Sequence, residues 1–591
     1  MKKRVADIII STLVERGITD CFAVVGGGAM FLDNALLHNK DMNKIFNHHE
    51  QGCAMAAEAY ARVSGRMALV CVTSGPGGTN TLTGVMGAYV DSIPMIVISG
   101  QVRYAISVPK TGLKLRTRGV QEFDIVNTVK TMTKYSKLVI NPLEIKMEIN
   151  KAIDIALSGR KGPVWLDIPQ DVQSAIIEEE DLIPNITIPQ NDNNLDNDFI
   201  VNAINNSERP LFLVGGGIVS SCLREKFRML SKKWGIPTVS SFNGTDVIYR
   251  DNPLFIGPIG PCGQRASNII VQNCDLIISL GCSMGFSTTG FAQDNFAPES
   301  KIIMIDCDEE EMKKPGLSYL KQFNCELSYA LDSLLTEKSN IKVNKKWIDY
   351  CSKIKSYFSP FEAAKGKKED ERVCSYYFWE KFYKVMPNDA ILVLGNNSAI
   401  TSAIQIGNLK EKQHIFANHN CGSMGYDVPA SLGMAISEKK TIYLATGDGS
   451  FMMNIQELQT IRHHNLPIKI MLFENQGYNA IRQTSKNFFN GELIGCSPET
   501  GISFPNFEDV ANTFKFKYIK CSTNGDVFNC LCELVKSNEP TIMEISQLLD
   551  DPVKPKVMSR TDENGKMLSP SLQDMYPFIS KSELEKLMFS E

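Results

Sequence analysis

Gly447-Asp448-Gly449-Ser450, followed by Asn475-Gln476-Gly477, is the stretch on which the reading of this chain turns. The apolar run at 442–445 predicts a strand that ends in Gly-Asp-Gly, so a carboxylate and a bare backbone arrive at one point. A second apolar run at 468–473 predicts a strand that delivers the amide oxygen of Asn475. That combination suits a magnesium diphosphate. Mg²⁺ takes about six oxygens and is usually held by one or two protein side chains plus substrate phosphates, and glycines let main-chain N–H groups approach the phosphate. Gly-Asp-Gly by itself reads as a turn; the interval and the second cluster make it a candidate site.

Working outward, short β-branched runs at 68–73, 95–99, 211–214, 276–280, 302–305 and 391–394 also alternate with longer helical patterns. This predicts an α/β chain of three consecutive doubly wound parallel-sheet domains, helices on both faces, with a C-terminal tail or lid. Apart from 302–305, each run is followed within two residues by Gly, Ser or Asn, where ligands collect in such sheets. The polar stretch 178–196 reads as a linker, and the charged stretch 360–372 as a second boundary. The expected divisions are 1–180, 181–365, 366–545 and 546–591. The last of these carries little periodicity and reads as a loose tail.

Bulk properties narrow the class. A chain of 591 residues is too long for one core. Hydrophobic 43% and charged 22% lie close to the averages of roughly 45–50% and 25%, so neither disorder nor membrane insertion is indicated. A net charge of −4 gives no reason to expect nucleic acid. In MKKRVADIIISTLVERG, Asp7 and Glu15 interrupt what could pass for an export signal. Val5, Ile8, Ile9, Leu13 and Val14 fall at helical spacing, so an amphipathic helix is expected. No apolar run approaches the roughly 18–20 residues that span a bilayer. Sixteen cysteines are scattered, and Cys530-Leu-Cys532 has no second ligand pair; reduced thiols and a cytoplasmic location are the expectation.

GDGSFMMNIQELQTIRHHNLPIKIMLFENQGY, from Gly447, resembles the cofactor segment of thiamine-diphosphate enzymes, and within them the acetolactate synthase (large subunit) group. Residues 45–102, beginning IFNHHEQGCAMAAEAYARVSGR, resemble the amino-terminal domain of the same enzymes, as does GRKGPVWLDIPQDVQ at 159–173. The resemblance implies thiamine diphosphate and Mg²⁺ as cofactors. It places Glu50 against N1′ of the aminopyrimidine, where an apolar pocket would suit a carboxyl group moving a proton. It makes Met424 the wedge that bends the cofactor, with the Gly422 carbonyl accepting from the 4′-amino group. Asp448, Asn475 and the Gly477 carbonyl would ligate Mg²⁺. Gly449, Ser450, Asn396 and Asn397 would hold the diphosphate. Val214-Gly215-Gly216-Gly217 resembles a nucleotide-type turn and makes FAD a candidate cofactor of the central domain. Glu50 and Asp448 belong to different subunits in such enzymes, so a homodimer or homotetramer with sites at the subunit interface is expected.

Three positions depart from the family pattern. Acetolactate synthases carry a tryptophan where this chain has Thr484, an arginine near Ser287, and a phenylalanine at Val120, beside the retained Gln121. Gly27 completes the expected substrate pocket. Loss of two rings and of a bidentate carboxylate donor points to an acceptor that is larger than, and need not be, a keto acid. Arg103, Lys110, Lys114, Arg116 and Arg118 precede Gln121; such a run is commonly a solvated face, and at a site entrance it would suit a diphosphate. Residues 572–578, LQDMYPF, are similar to the ends of family members of branched-sugar pathways. The expectation is a carboligase that decarboxylates a 2-keto acid, pyruvate first, and transfers the two-carbon unit to a carbonyl acceptor such as a nucleotide-linked keto sugar. An ordinary acetolactate synthase, a simple 2-keto acid decarboxylase, an inactive regulatory relative and a dinucleotide oxidoreductase are the alternatives.

Overall fold

The computed structural model describes residues 1–188, 193–396, 398–561 and 567–589. They form two compact units. The first comprises Met1–Gln190, Asn418–Leu444 and Ser450–Ile468, and the second comprises Asn191–Ala417, Ala445–Gly449 and Lys469–Glu591.

The first unit is built on a six-stranded parallel sheet in the order Asn43–Phe46, Asp20–Ala23, Leu69–Val72, Met95–Gln101, Pro163–Pro169, Tyr135–Leu138. Leu69–Val72, Met95–Gln101 and Pro163–Pro169 are buried along their whole length, as expected of strands covered on both faces by helices. Helix Val5–Glu15 buries Val5, Ile8, Ile9 and Leu13 in this core, the stripe its spacing predicts.

Helix Glu50–Ser64 is buried from Gly52 to Arg62, and its sequence explains how. Small side chains let neighbouring backbones approach. A Cβ at Gly433 would lie 2.0 Å from the Ala56 carbonyl oxygen, and one at Gly84 would lie 2.6 Å from the Ala54 Cβ. The helix ends at Gly65, whose φ of 71° places it in the left-handed region and whose N–H closes on the Ala61 carbonyl.

Two further six-stranded sheets follow. The central one runs Phe255–Pro258, Thr238–Ser240, Pro210–Val214, Leu276–Leu280, Lys301–Asp306, Tyr319–Asn324, all parallel. The third runs His414–Ala417, Ile391–Leu394, Ile442–Gly447, Ile468–Glu474, Thr541–Ser546, Lys517–Cys521. The direction of strand addition reverses between Ile391–Leu394 and Ile442–Gly447, the kind of switch point outside which ligands bind. The α/β reading with three parallel sheets therefore holds. Among the described residues no helix is long and apolar enough to cross a membrane, and all sixteen cysteines are free.

One expectation is corrected. The end of the chain is not loose: Leu572, Met575 and Leu587 are buried. Within the second unit, Arg265 donates to the carbonyls of Met575 and Pro577, Asn268 to that of Leu572, and Tyr350 to that of Leu587. The polar spacing of this segment hid a few well-placed apolar anchors. The Gly215–Gly217 turn, which made FAD a candidate, is tightly packed. A Cβ at Gly215 would meet the Gly281 carbonyl oxygen at 2.1 Å. The Gly215 and Gly217 N–H groups donate to the carbonyls of Leu280 and Gly281 at 3.0 and 2.9 Å, so neither is offered to a phosphate.

Candidate active site

In the second unit, Asp448 follows strand Ile442–Gly447 and Asn475 follows Ile468–Glu474. Asp448 is 2% exposed. Its Oδ1 accepts from the Gly449 N–H at 2.7 Å, and its Oδ2 accepts from the N–H groups of Asn475 and Gly477, both at 3.1 Å. Burial pushes its carboxyl up to about 6, against the pull of these three donors. No Lys or Arg reaches it among the described residues. The Asn475 amide is oriented from both ends: its nitrogen donates to Gln547 Oε1 at 3.0 Å, and its oxygen accepts from Arg482 Nη2 at 2.9 Å. Gly477 has φ 142° and passes so close to the next loop that a Cβ would lie 2.0 Å from the Cys496 carbonyl oxygen. A buried carboxylate without a cationic partner, an amide oxygen and a carbonyl at adjacent strand ends form a donor set that fits a hard divalent cation. Asn396 is half-buried just beyond strand Ile391–Leu394; Asn397 lies outside the described residues.

In the first unit, Glu50 is the first residue of its helix, after His49, whose Nδ1 accepts from the Gln51 N–H. Its carboxylate is half-buried at a helix N-terminus, where the dipole favours negative charge. Oε2 accepts from Asn80 Nδ2 at 2.9 Å. The unit leaves this group less enclosed than the expected apolar pocket would. The turn bearing Asn80 also meets Gln121, for a Cβ at Gly75 would lie 2.5 Å from the Gln121 carbonyl oxygen. Gln121 has φ 60°, and Val120 beside it is 83% exposed. Gly27 is exposed, with open space where a Cβ would sit, and its carbonyl accepts from Gln170.

The loop carrying Gly422 and Met424 is pinned at several points. Gly422 is exposed with φ 62°, and Met424 is half-buried. The Gly425 N–H donates to Ser450 Oγ at 2.8 Å, which engages the hydroxyl oxygen expected at a phosphate but leaves its hydrogen available. Asn454 Nδ2 donates to the Gly425 carbonyl at 2.7 Å and to Gln51 Oε1 at 2.9 Å. Sequence reasoning missed this residue, although it belongs to the same GDGSFMMN stretch.

It also missed Glu457, which is fully buried. Glu457 accepts from Asn47 Nδ2 at 2.8 Å and from the His48 N–H at 3.1 Å, and a Cβ at Gly52 would lie 2.7 Å from its Oε1. A glycine two residues after Glu50 was the available signal.

Residues 3–127, 198–318 and 395–545 match, in turn, the families described as thiamine pyrophosphate enzyme N-terminal TPP binding domain, central domain and C-terminal TPP binding domain. The acetolactate synthase isozyme 2 large subunit of Escherichia coli (strain K12) is 30% identical over 92% of this chain and 95% of its own length. This chain belongs to the acetolactate synthase family of thiamine pyrophosphate enzymes. The probable acetolactate synthase large subunit of Methanocaldococcus jannaschii is also 30% identical, over 91% of each chain. Acetolactate synthase 1, chloroplastic, of Oryza sativa subsp. japonica is 28% identical over 94% of this chain and 86% of its own length.

Behind the Met424 loop of this thiamine pyrophosphate enzyme lies a buried ion cluster. Arg62 bonds to Glu58 on its own helix and to Asp91 Oδ2 at 2.6 Å. Tyr426 donates to Glu58 at 2.6 Å, and Asn420 donates to Asp91 at 2.7 Å, so the two carboxylates hold both flanks of the loop. Burial raises the Glu58 carboxyl, against the pull of Arg62. Arg62→Met removes a buried guanidinium that bonds both carboxylates and is expected to cost about 3–5 kcal/mol. A lowered melting temperature and faster amide exchange in 418–426 would follow; unchanged values would show the cluster to be dispensable.

Proposed function

We propose that the protein decarboxylates a 2-keto acid, pyruvate first, and transfers the two-carbon unit to a carbonyl acceptor larger than a keto acid, such as a nucleotide-linked keto sugar. What supports this reading is the character of three positions. Val120, Ser287 and Thr484 are all exposed, short side chains where the family pattern has a ring, a guanidinium and a ring. The Thr484 hydroxyl donates back to the Ala480 carbonyl of its own helix at 3.0 Å, so its hydrogen is not available to replace the lost contacts. Near it, a cavity of about 480 Å³ is lined by Gln476, Arg482, Gln483 and Lys486.

Bound thiamine diphosphate supplies the capacity to stabilise a carbanion left by decarboxylation. Glu50, oriented by Asn80, would hold and return the proton at N1′ of the aminopyrimidine. Met424 and the Gly422 carbonyl would set the cofactor's bend, on a loop kept in register by Ser450 and Asn454. Asp448, the Asn475 amide oxygen and the Gly477 carbonyl would hold Mg²⁺, which neutralises the diphosphate; Asn396 and Asn397 would add donors to it. FAD in the central domain would need phosphate donors other than Gly215 and Gly217, and the flavin absorbance of the purified protein tests its presence. Two copies would assemble to complete the sites; an active monomer in solution would exclude that.

The deciding experiment incubates the protein with thiamine diphosphate, Mg²⁺ and pyruvate, with and without nucleotide 4-keto sugars, and identifies products by mass spectrometry. A sugar adduct heavier by one acetyl group supports the reading; acetolactate in every sample makes it an ordinary acetolactate synthase. Thr484→Trp is expected to shift the product ratio toward acetolactate by about tenfold, the scale of a pocket-filling change. An unmoved ratio would remove Thr484 from the acceptor argument.

A further inference from the structure

A second cavity, of about 400 Å³, opens in the first unit under residues 103–118. That volume is in the range of small-molecule sites, roughly 300–1,000 Å³. Tyr104, Phe123, Lys114 and Arg116 line it. Three carboxylates lie at the same place, and each is already engaged. Glu122 Oε1 accepts from the Val108 N–H at 2.5 Å, while its Oε2 accepts from the N–H groups of Arg118 and Gly119 at 3.0 and 2.8 Å. This one side chain therefore clasps both ends of the loop. Asp124 takes the backbone and side-chain N–H groups of Asn127, at 3.1 and 2.6 Å. Asp167 accepts from Ser99 Oγ at 2.6 Å and from Gln101 Nε2 at 3.0 Å.

Among the described residues, no carboxylate pairs with the side chains of Arg103, Lys114, Arg116 or Arg118. Negative charge in the cavity is thus spent on internal hydrogen bonds, and the unspent charge is positive. Two aromatic rings stand beside it, able to stack on a flat ring system.

We infer that this cavity binds the diphosphate of a nucleoside-diphosphate ligand between Lys114 and Arg116, with the base against Tyr104 and Phe123. Arg116 supplies a planar fork suited to two phosphate oxygens, and Lys114 a point charge. The clasp by Glu122 holds the loop in the shape that brings both cations to one cavity. In the setting of the proposed function the ligand is the acceptor itself, so that assignment rests on the proposed reading; a free nucleoside diphosphate acting as effector has the same binding chemistry.

The test is calorimetric titration of the protein, saturated with thiamine diphosphate and Mg²⁺, with UDP and dTDP and with the corresponding nucleosides. The diphosphates are expected to bind and the nucleosides to bind far more weakly. Arg116→Ala and Lys114→Ala should each weaken diphosphate binding by about tenfold, the loss of one charge-assisted contact. Arg116→Lys should recover part of the loss, and Lys40→Ala, which removes an exposed cation outside the cavity, none of the affinity. All of these side chains are exposed, so misfolding does not mask the result. Failure of either diphosphate to bind, or equal binding by the alanine variants, overturns the site. Arg116-dependent binding without a sugar adduct would keep the site as an effector site and sink the acceptor reading. An adduct formed equally well by Arg116→Ala would do the reverse.

Discussion

Glu50→Gln is expected to lower turnover of pyruvate by about 10²–10⁴-fold, the usual weight of a positioned general acid or base. The amide keeps the size of the carboxyl and can still meet Asn80, with which Glu50 shares a 2.9 Å hydrogen bond, but it cannot exchange a proton at N1′. Affinity for thiamine diphosphate should change far less than turnover, because the diphosphate side of the cofactor is assigned to other residues, Asp448 and Asn475 first among them. The measurement is decarboxylation at saturating thiamine diphosphate and Mg²⁺, with cofactor binding followed separately. Full turnover in the variant would take the proton chemistry away from Glu50. Equal losses in binding and turnover would make it a binding group.

Asp448→Asn should weaken Mg²⁺-dependent binding of thiamine diphosphate by at least about 100-fold, since losing even an outer partner of a metal ligand costs about 10–100-fold. The reason lies in its surroundings. The carboxylate is buried, no side-chain cation among the described residues reaches it, and it accepts three backbone N–H groups. Asparagine removes the charge and one of the two acceptors, leaving a backbone donor unsatisfied at a cost of about 1–3 kcal/mol. A lower melting temperature of the cofactor-free protein is therefore expected alongside the lost affinity. That readout separates the two consequences. Retained Mg²⁺-dependent binding would move the cation site away from Asp448, whatever the activity.

Much of the scaffold was legible in the chain. The apolar runs at 276–280 and 391–394 are strands with those same bounds, and that at 468–473 is a strand one residue longer, Ile468–Glu474. Strands covered on both faces are written as unbroken apolar runs, and loops rich in Gly, Ser and Asn close them. The same local grammar put Asp448 and Asn475 at neighbouring strand ends. The loop Gly422–Tyr426 was also legible, through its motif. What holds it was not: Asn420 reaches Asp91, and Tyr426 reaches Glu58, over more than three hundred positions. Glu457 and Asn47 are 410 positions apart and share a buried hydrogen bond. No periodicity records such a pair, since each residue alone is an ordinary polar side chain.

The end of the chain shows the same division. Its composition reads as loose, yet Leu572, Met575 and Leu587 are buried, with Arg265, Asn268 and Tyr350 binding backbone carbonyls around them. Local sequence by itself determined the α/β class, the family and the residue types at the cofactor motifs, because strand burial and tight turns impose their patterns on contiguous residues. Only the tertiary structure decided which carboxylates are spent and which cations are left over. Asp448, Glu122 and Asp167 accept from specific donors, while among the described residues no carboxylate pairs with Lys114 or Arg116. Charge balance at a site is a property of distances, and those are set only when the chain has folded.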